Sequence, residues 1–175
     1  MLGLLRDYSA SDAHEREMLG RMIEFAAKHE DCCERSLRIG HMTGSAWVLD
    51  RQHEHVLLTH HRKLNRWLQV GGHADGNPDL LEVALREARE ESGLHGLRVV
   101  SETPFDIDVH EIPERGDEPR HFHYDVRFLL EASRDEPLVV SEESHALAWL
   151  RLDELWARVD LEESLRRMVR KTISC

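Results

Sequence analysis

Gly71 to Leu94 reads GGHADGNPDLLEVALREAREESGL. A Gly-Gly pair leads into a polar loop, and the loop leads into a helix. An α-helix advances about 100° per residue, so positions i, i+3 and i+4 share a face. Glu87, Glu90 and Glu91 therefore stand on one side of one helical turn. Three like charges at that spacing repel one another, and the arrangement gains nothing unless a cation sits among them. Hard divalent cations take carboxylate oxygens, and Mg²⁺ suits a few carboxylates completed by substrate phosphates. The rest of the helix reads consistently. Leu81, Ala84, Leu85 and Ala88 form the expected apolar stripe. Glu82, Arg86 and Arg89 fall on a third side, with Glu82 and Arg86 in the favourable acid-before-base order. Asn77 is the expected N-cap with Pro78 at the first helical position, and Gly93 closes the helix.

From Gly72 onward this spacing resembles the Nudix box, G-x5-E-x7-R-E-U-x-E-E-x-G-U, where U is aliphatic. Gly72, Arg86, Glu87, Ala88, Glu90, Glu91, Gly93 and Leu94 match. Pro78 stands where the pattern has its early Glu, and Val70 stands where many members have Pro. In the family the early Glu helps brace the box around its Arg, and Glu82 is the candidate to replace it here. The departure bears on local geometry and catalytic strength, not on the metal-binding carboxylates.

The chain has 175 residues, enough for one domain with a real core. A formal charge of −11 argues against a nucleic-acid polymer or an anionic membrane as the main partner. It also opposes a phosphorylated small molecule, unless a bound divalent metal reverses the local field. Cys32, Cys33 and Cys175 make no disulfide framework. The N-terminus has no basic segment followed by an apolar run of signal-peptide length, and no stretch reaches transmembrane length. A reduced, cytoplasmic setting is the expectation.

Residues 10 to about 31 read as a helix capped by Ser11 or Asp12, with Met18, Met22, Phe25 and Ala26 at core spacing. The expected division is a helical extension over 1–36, packed on the domain or contributing to a homodimer contact, and a main domain over 37–175. Met42 to Leu49 and His55 to Thr59 read as strands joined by a hairpin. His60 to Arg66 is the most basic stretch of an acidic chain and runs straight into the box. His61, Arg62 and Lys63 are therefore candidate substrate contacts, against the alternative of a solvated basic loop.

After the box, Leu97–Val100 and Phe105–Ile112 read as extended, and HFHYDVRFLLEA (121–132) alternates. His121, His123, Asp125 and Arg127 share one face. Three readings of His121 and His123 stay open. They are substrate contacts, or a second metal site with Asp106, Asp108 or His110, or the wet face of an antiparallel sheet. Leu138–Val140 reads as a short strand and 141–145 as an acidic loop. A Trp-bearing strand follows over Ala146–Leu150, then a helix starting near Asp153. An amphipathic helix over about 161–172 ends the chain. Its Leu165, Met168 and Val169 form the buried stripe, and Arg166, Arg167, Arg170 and Lys171 complement the dipole.

The resemblance implies an α+β fold, a Nudix-type α/β/α sandwich with a mixed sheet, here with an added N-terminal helix. It implies hydrolysis of the diphosphate linkage of a nucleoside diphosphate derivative, with Mg²⁺ or Mn²⁺ held by Glu87, Glu90, Glu91 and the Gly72 carbonyl. Family members place the general base either on the box or on the later acidic loop, which makes Glu90 and Glu143 the candidates, with Glu142 beside the latter. The family's marks for ADP-ribose, dinucleoside polyphosphates and coenzyme A are not clearly present, Leu57-Leu58-Thr59 echoing the last only faintly. No Cys lies between 33 and 175, which disfavours the isomerase branch of the superfamily. The rival class is a Nudix-fold sensor that binds a nucleotide or metabolite without cleaving it. Intact Glu87, Glu90 and Glu91 count against it.

Overall fold

The computed structural model describes residues 1–174. Its organising strand is β1, Gly40–Asp50, which is buried along its whole length. Alternate residues of a strand face opposite sides, and here both sides are buried, with His41, Thr43 and Ser45 forming a polar stretch on one of them. Trp47 and Leu49 enter one core, while Ala46 and Val48 enter the other. Along its length β1 pairs in parallel with β7, His121–Ala132, from Gly40–Phe122 to Asp50–Ala132. On its other edge it pairs antiparallel with β4, Val70–His73, and then with β2, His55–His61. The short β3, Arg66–Leu68, and β8, Ser144–Arg151, extend the sheet from β2. On the far side β5, Arg98–Val99, and β6, Asp106–Ile112, pair with β7. One parallel pair among antiparallel ones makes the sheet mixed, as expected.

Helices cover both faces. The box helix α3, Leu80–Ser92, lies on the Ala46/Val48 side. The N-terminal α1, Leu2–Asp7, and α2, Ala13–Lys28, complete that layer. Met18, Met22 and Phe25 are buried in this core, and the Phe25 ring stacks on Tyr124 at 4.0 Å. The apolar stripe of α2 is thus consumed within its own chain. The Trp47/Leu49 side is closed by α4, Leu152–Ala157, and α5, Glu163–Ile173. Layer spacing at the box is set by Gly44. A Cβ there would lie 2.6 Å from the Leu80 carbonyl oxygen, so only glycine lets β1 and α3 approach so closely.

The sequence expectations need local corrections. The N-cap of α3 is Asp79, whose carboxylate accepts the Glu82 N–H at 3.1 Å, not Asn77. Leu80 and Val83 join Ala84 and Ala88 on the buried face, and Leu81 and Leu85 are only half-buried. Glu82 accepts from the Asn77 side chain, while Arg86 turns to Glu87, so the expected Glu82–Arg86 bracing is replaced. Gly71 and Gly72 are strand residues rather than a turn, because β1 supplies their ladder partners Ser45 and Gly44. Residues 138–140 form no strand. Val139 N–H instead donates to the Ser92 carbonyl at 2.8 Å and straps the end of α3.

The largest departure concerns the polar face of β7, which is covered rather than wet. Arg127 is 2% exposed. Its guanidinium donates to Asp125 at 2.7 Å, Asp108 at 2.9 Å and Asp106 at 3.0 Å. From α5, Arg167 grips Asp106 with two bonds of 2.9 Å, and Lys171 reaches Asp106 at 2.8 Å and Glu15 of α2. Arg167 and Lys171 are therefore core ligands of carboxylates rather than dipole complements, and Asp106 is spent on them. Burial alone would push the Asp106 carboxyl up. Arg167, Arg127 and Lys171 outweigh that and hold it well below the usual range. Removing one member of such a set leaves an uncompensated buried charge. Arg127→Leu is expected to lower unfolding free energy by about 3–5 kcal/mol in a urea titration. A change below about 1 kcal/mol would show that the network does not hold the layers together.

Candidate active site

The acidic face of α3 looks across β4. Glu91, 8% exposed, accepts the Gly71 N–H at 2.8 Å, which locks the last turn of the helix to the strand. Glu87 lies against Gly72. A Cβ at Gly72 would sit 2.5 Å from the Glu87 carboxyl carbon, so the bare glycine leaves room for that carboxylate. Arg86 donates to Glu87 at 2.6 Å and to the His73 carbonyl at 2.8 Å, bracing helix and strand together. Glu90 is exposed on the same helical face.

A cleft of about 390 Å³ opens in front of these groups. Gly72, Glu87, Glu90 and Glu91 line it, and so does Glu143 of the loop before β8, whose charge is felt by Glu91. That loop is pinned by Arg62, whose backbone N–H donates to the Glu143 carbonyl at 2.9 Å and whose side chain donates to the Ser144 carbonyl at 3.0 Å. The floor is Thr43, Ser45, Gln69 and Asp125. Asp125 accepts from Thr43 at 2.9 Å, Ser45 at 2.8 Å and Gln69 at 3.2 Å, besides Arg127. His61, Lys63, His73, His110 and His123 complete the lining.

The cleft thus brings together Gly72, Glu87, Glu90, Glu91, Glu143, His61, Lys63 and His123. It does not include Arg62, which serves the Glu143 loop, nor Glu142, which is exposed outside it. His121 is 4% exposed and turned to His123 behind the cleft wall. Asp125, Gln69, Thr43 and Ser45 were not singled out as site residues by the sequence reading. Alternation placed Asp125 on the His123 face, but the strand pairing that brings Thr43 and Ser45 beneath it carries no local signal.

Burial dominates the electrostatics. It pushes the Glu91 carboxyl up to about 7, helped by the like charges of Glu87 and Glu143 and opposed by the Gly71 hydrogen bond. Glu87 is also raised by burial, against the pull of Arg86. A half-buried set of acids with one adjacent arginine is a poor arrangement on its own. It is a suitable donor set for a hard divalent cation, which would return the carboxylates to their charged forms. On the other side, burial depresses the imidazoles of His73 and His110, and that of His41 to about 4. Those rings stay neutral at pH 7.

Among the described residues, no helix is long and apolar enough to cross a membrane. The family model described as the NUDIX domain matches residues 41–172. No curated protein matches the chain. Among solved structures, a Caenorhabditis elegans Ap4A hydrolase in a binary complex is similar with a TM-score of 0.60 at 16% identity, covering 76% of this chain and 95% of that one. A Nudix-family hydrolase from Clostridium perfringens gives 0.57 at 23% identity, covering 77% and 96%. The Escherichia coli dihydroneopterin triphosphate pyrophosphohydrolase gives 0.57 at 18% identity, also covering 77% and 96%. At these identities the structural likeness speaks for the fold, while the domain match spans most of the chain and includes the acidic helix. The chain belongs to the Nudix family.

Proposed function

We propose that this Nudix pyrophosphohydrolase cleaves the diphosphate linkage of a small nucleoside diphosphate derivative, by water attack at phosphorus, with Mg²⁺ or Mn²⁺ as cofactor. The observation that carries the reading is the convergence of Glu87, Glu90, Glu91 and Glu143 on one cleft. Glu87, Glu90 and Glu91, with the Gly72 carbonyl, would hold the metal. Bound there, a divalent ion would polarise a phosphoryl oxygen and make water more acidic. Glu90 and Glu143 both line the cleft, and either would serve as the general base that takes the proton of the attacking water. Lys63 and His61 would meet the phosphates and His123 the remainder of the substrate. Arg62 would act through the Glu143 loop and His121 through His123. Positioning and electrostatics carry most of phosphoryl-transfer catalysis, so such supports matter. A net charge of −11 fits a small phosphorylated substrate drawn in by metal rather than a nucleic-acid polymer or a membrane. We place the protein in the cytoplasm, with residues 1–36 as an extension fused to the catalytic domain over 37–175, and leave a homodimer as a further proposal.

A non-catalytic sensor is the second reading, favoured by one observation. Pro78 replaces the early Glu of the box, and Glu82 does not take over its contact with Arg86. Phosphate release from a panel of nucleotide sugars, dinucleoside polyphosphates, nucleoside triphosphates, ADP-ribose, NADH and coenzyme A separates the two. Metal-dependent turnover of one class is expected. Divalent metal binding without turnover would support the sensor. Glu90→Gln is expected to lower kcat at least 10²-fold, on the order of a lost general base, with an unchanged unfolding midpoint. Unchanged kcat would remove Glu90 from the mechanism.

Glu91 gives a metal-free test. Its folded pKa, about 7, lies above the ordinary 4.5, so the folded state holds an extra proton between these values. Stability from this group is present at low pH and is lost as pH rises through about 7. In chelator, Glu91→Gln is expected to raise the melting midpoint at pH 8 by a few degrees and to leave it nearly unchanged at pH 5. Parallel pH profiles of the two proteins by calorimetry would contradict the assignment.

A further inference from the structure

Behind the acidic cleft, the sheet gathers histidines in a row. Register places His110 of β6 beside His123 of β7, and His123 beside His41 of β1. His121 lies two residues before His123 on the same face of β7. The rings of His41, His121 and His123 form a near-equilateral triangle, with centres 4.8, 5.1 and 5.1 Å apart. One nitrogen from each lies within 4.8 Å of the others. Three imidazoles on a tetrahedral ion with metal–nitrogen bonds of 2.0–2.1 Å have ring centres about 5 Å apart. The backbone already sets that spacing, and the nitrogens need only small ring rotations to converge.

Two further observations point to a ligand. His41 is 2% exposed, and neither ring nitrogen has a hydrogen-bond partner. An unsatisfied buried polar group costs about 1–3 kcal/mol, and β1 could carry an apolar residue there without that cost. His121 is oriented as metal-ligating histidines usually are. Its Nδ1 faces the Pro119 carbonyl at 2.8 Å, an acceptor only, so Nδ1 carries the hydrogen. In the neutral ring, Nε2 is then the lone-pair nitrogen, and it points at Nε2 of His123 at 3.2 Å. A hollow of about 330 Å³, lined by His41, His121, Pro119 and Glu118, gives access from solvent. Two arginines, Arg35 and Arg38, also line the hollow, and Arg35 is half-exposed and drawn to Glu118 at 3.8 Å.

We propose that His41, His121 and His123 form a second, nitrogen-donor metal site that takes a borderline transition ion of the Zn²⁺ class. It is distinct from the carboxylate site for Mg²⁺ or Mn²⁺ on α3. Imidazole donors suit Zn²⁺ and its neighbours, whereas all-carboxylate donors suit hard ions. His123 lines the cleft and His41 and His121 line the hollow, so the ion would sit in the wall between them. The site stands on these residues alone and does not depend on which substrate the cleft takes.

Cobalt is the probe, because a four-coordinate Co²⁺ centre with imidazole donors absorbs intensely in the visible. The full-length protein, stripped with chelator, is titrated with Co²⁺ in a Glu87→Gln/Glu90→Gln/Glu91→Gln background that disables the carboxylate site. One equivalent is expected to bind with a visible spectrum, to be displaced by Zn²⁺, and to be unaffected by millimolar Mg²⁺. His41→Ala and His121→Ala, each added to that background, are expected to weaken binding at least tenfold. Circular dichroism checks that each variant is folded. Absence of a stoichiometric, Zn²⁺-displaceable cobalt spectrum in the triple variant would overturn the proposal, as would undiminished binding in the folded histidine variants. If a histidine variant does not fold, the titration of the triple variant decides alone. Failure here would leave the hydrolase reading untouched, because that reading is tested by turnover with Mg²⁺ or Mn²⁺.

Discussion

The guanidinium of Arg127 is the interaction on which the remaining structure rests. It lies in the middle strand of the β6–β7–β1 group and binds three carboxylates at once. Through Asp106 it is coupled to Arg167 and Lys171 of α5, and through Lys171 to Glu15 of α2. The two helical layers are thus joined around the β6 edge. Through Asp125 the same arginine reaches the cleft floor, where Thr43, Ser45 and Gln69 complete the carboxylate's partners. A buried ion pair is often no more stable than apolar residues of the same volume. What the network supplies here is position, because each member fixes another through directional bonds.

Two kinds of donor meet across the cleft. The α3 side offers oxygen, crowded enough that Glu91 is pushed toward protonation. The β6–β7–β1 side offers neutral nitrogen, kept neutral by burial. The register sets them side by side along β1, where Gly44 pairs with Gly72 and His41 pairs with His123. Oxygen donors suit hard cations and imidazoles suit borderline ones, which is the chemical basis for proposing two separate sites.

Much of this was legible in the sequence because it is local. The spacing of Glu87, Glu90 and Glu91 is a property of one helical turn, and Gly93 takes the left-handed conformation expected of a helix stop. The 121–132 alternation gave the two faces of β7 correctly. Whether that polar face is wet or covered is not a local property, because Arg167 of α5 and Asp106 and Asp108 of β6 are what meet it. Arg167 and Arg170 are three residues apart with the same chemistry, yet one is buried on Asp106 and the other lies near Asp12 at the surface. Only the tertiary arrangement separates them. The helix start moved from Asn77 to Asp79 for a smaller reason: both are good caps, and Asp79 is the one whose carboxylate meets the Glu82 N–H. His41 had no pattern to announce it, since its partners lie on a strand some eighty positions later in the chain.

The parallel pairing of β1 with β7 has a consequence for how the protein is made. The acidic wall is written within one short stretch, from Gly71 to Glu91, and its defining bond joins those two residues. The floor and the imidazole side need β7, which pairs with β1 only after every intervening element has been laid down. Long-range pairing of this kind is rewarded only once the loop between the strands has closed. During synthesis, the carboxylates are in place on the chain well before the groups that bury and oppose them. The nascent protein passes through a stage that holds acidic donors in open water, without a pocket. The cleft is complete only later still, when the Glu143 loop that follows β7 has been added.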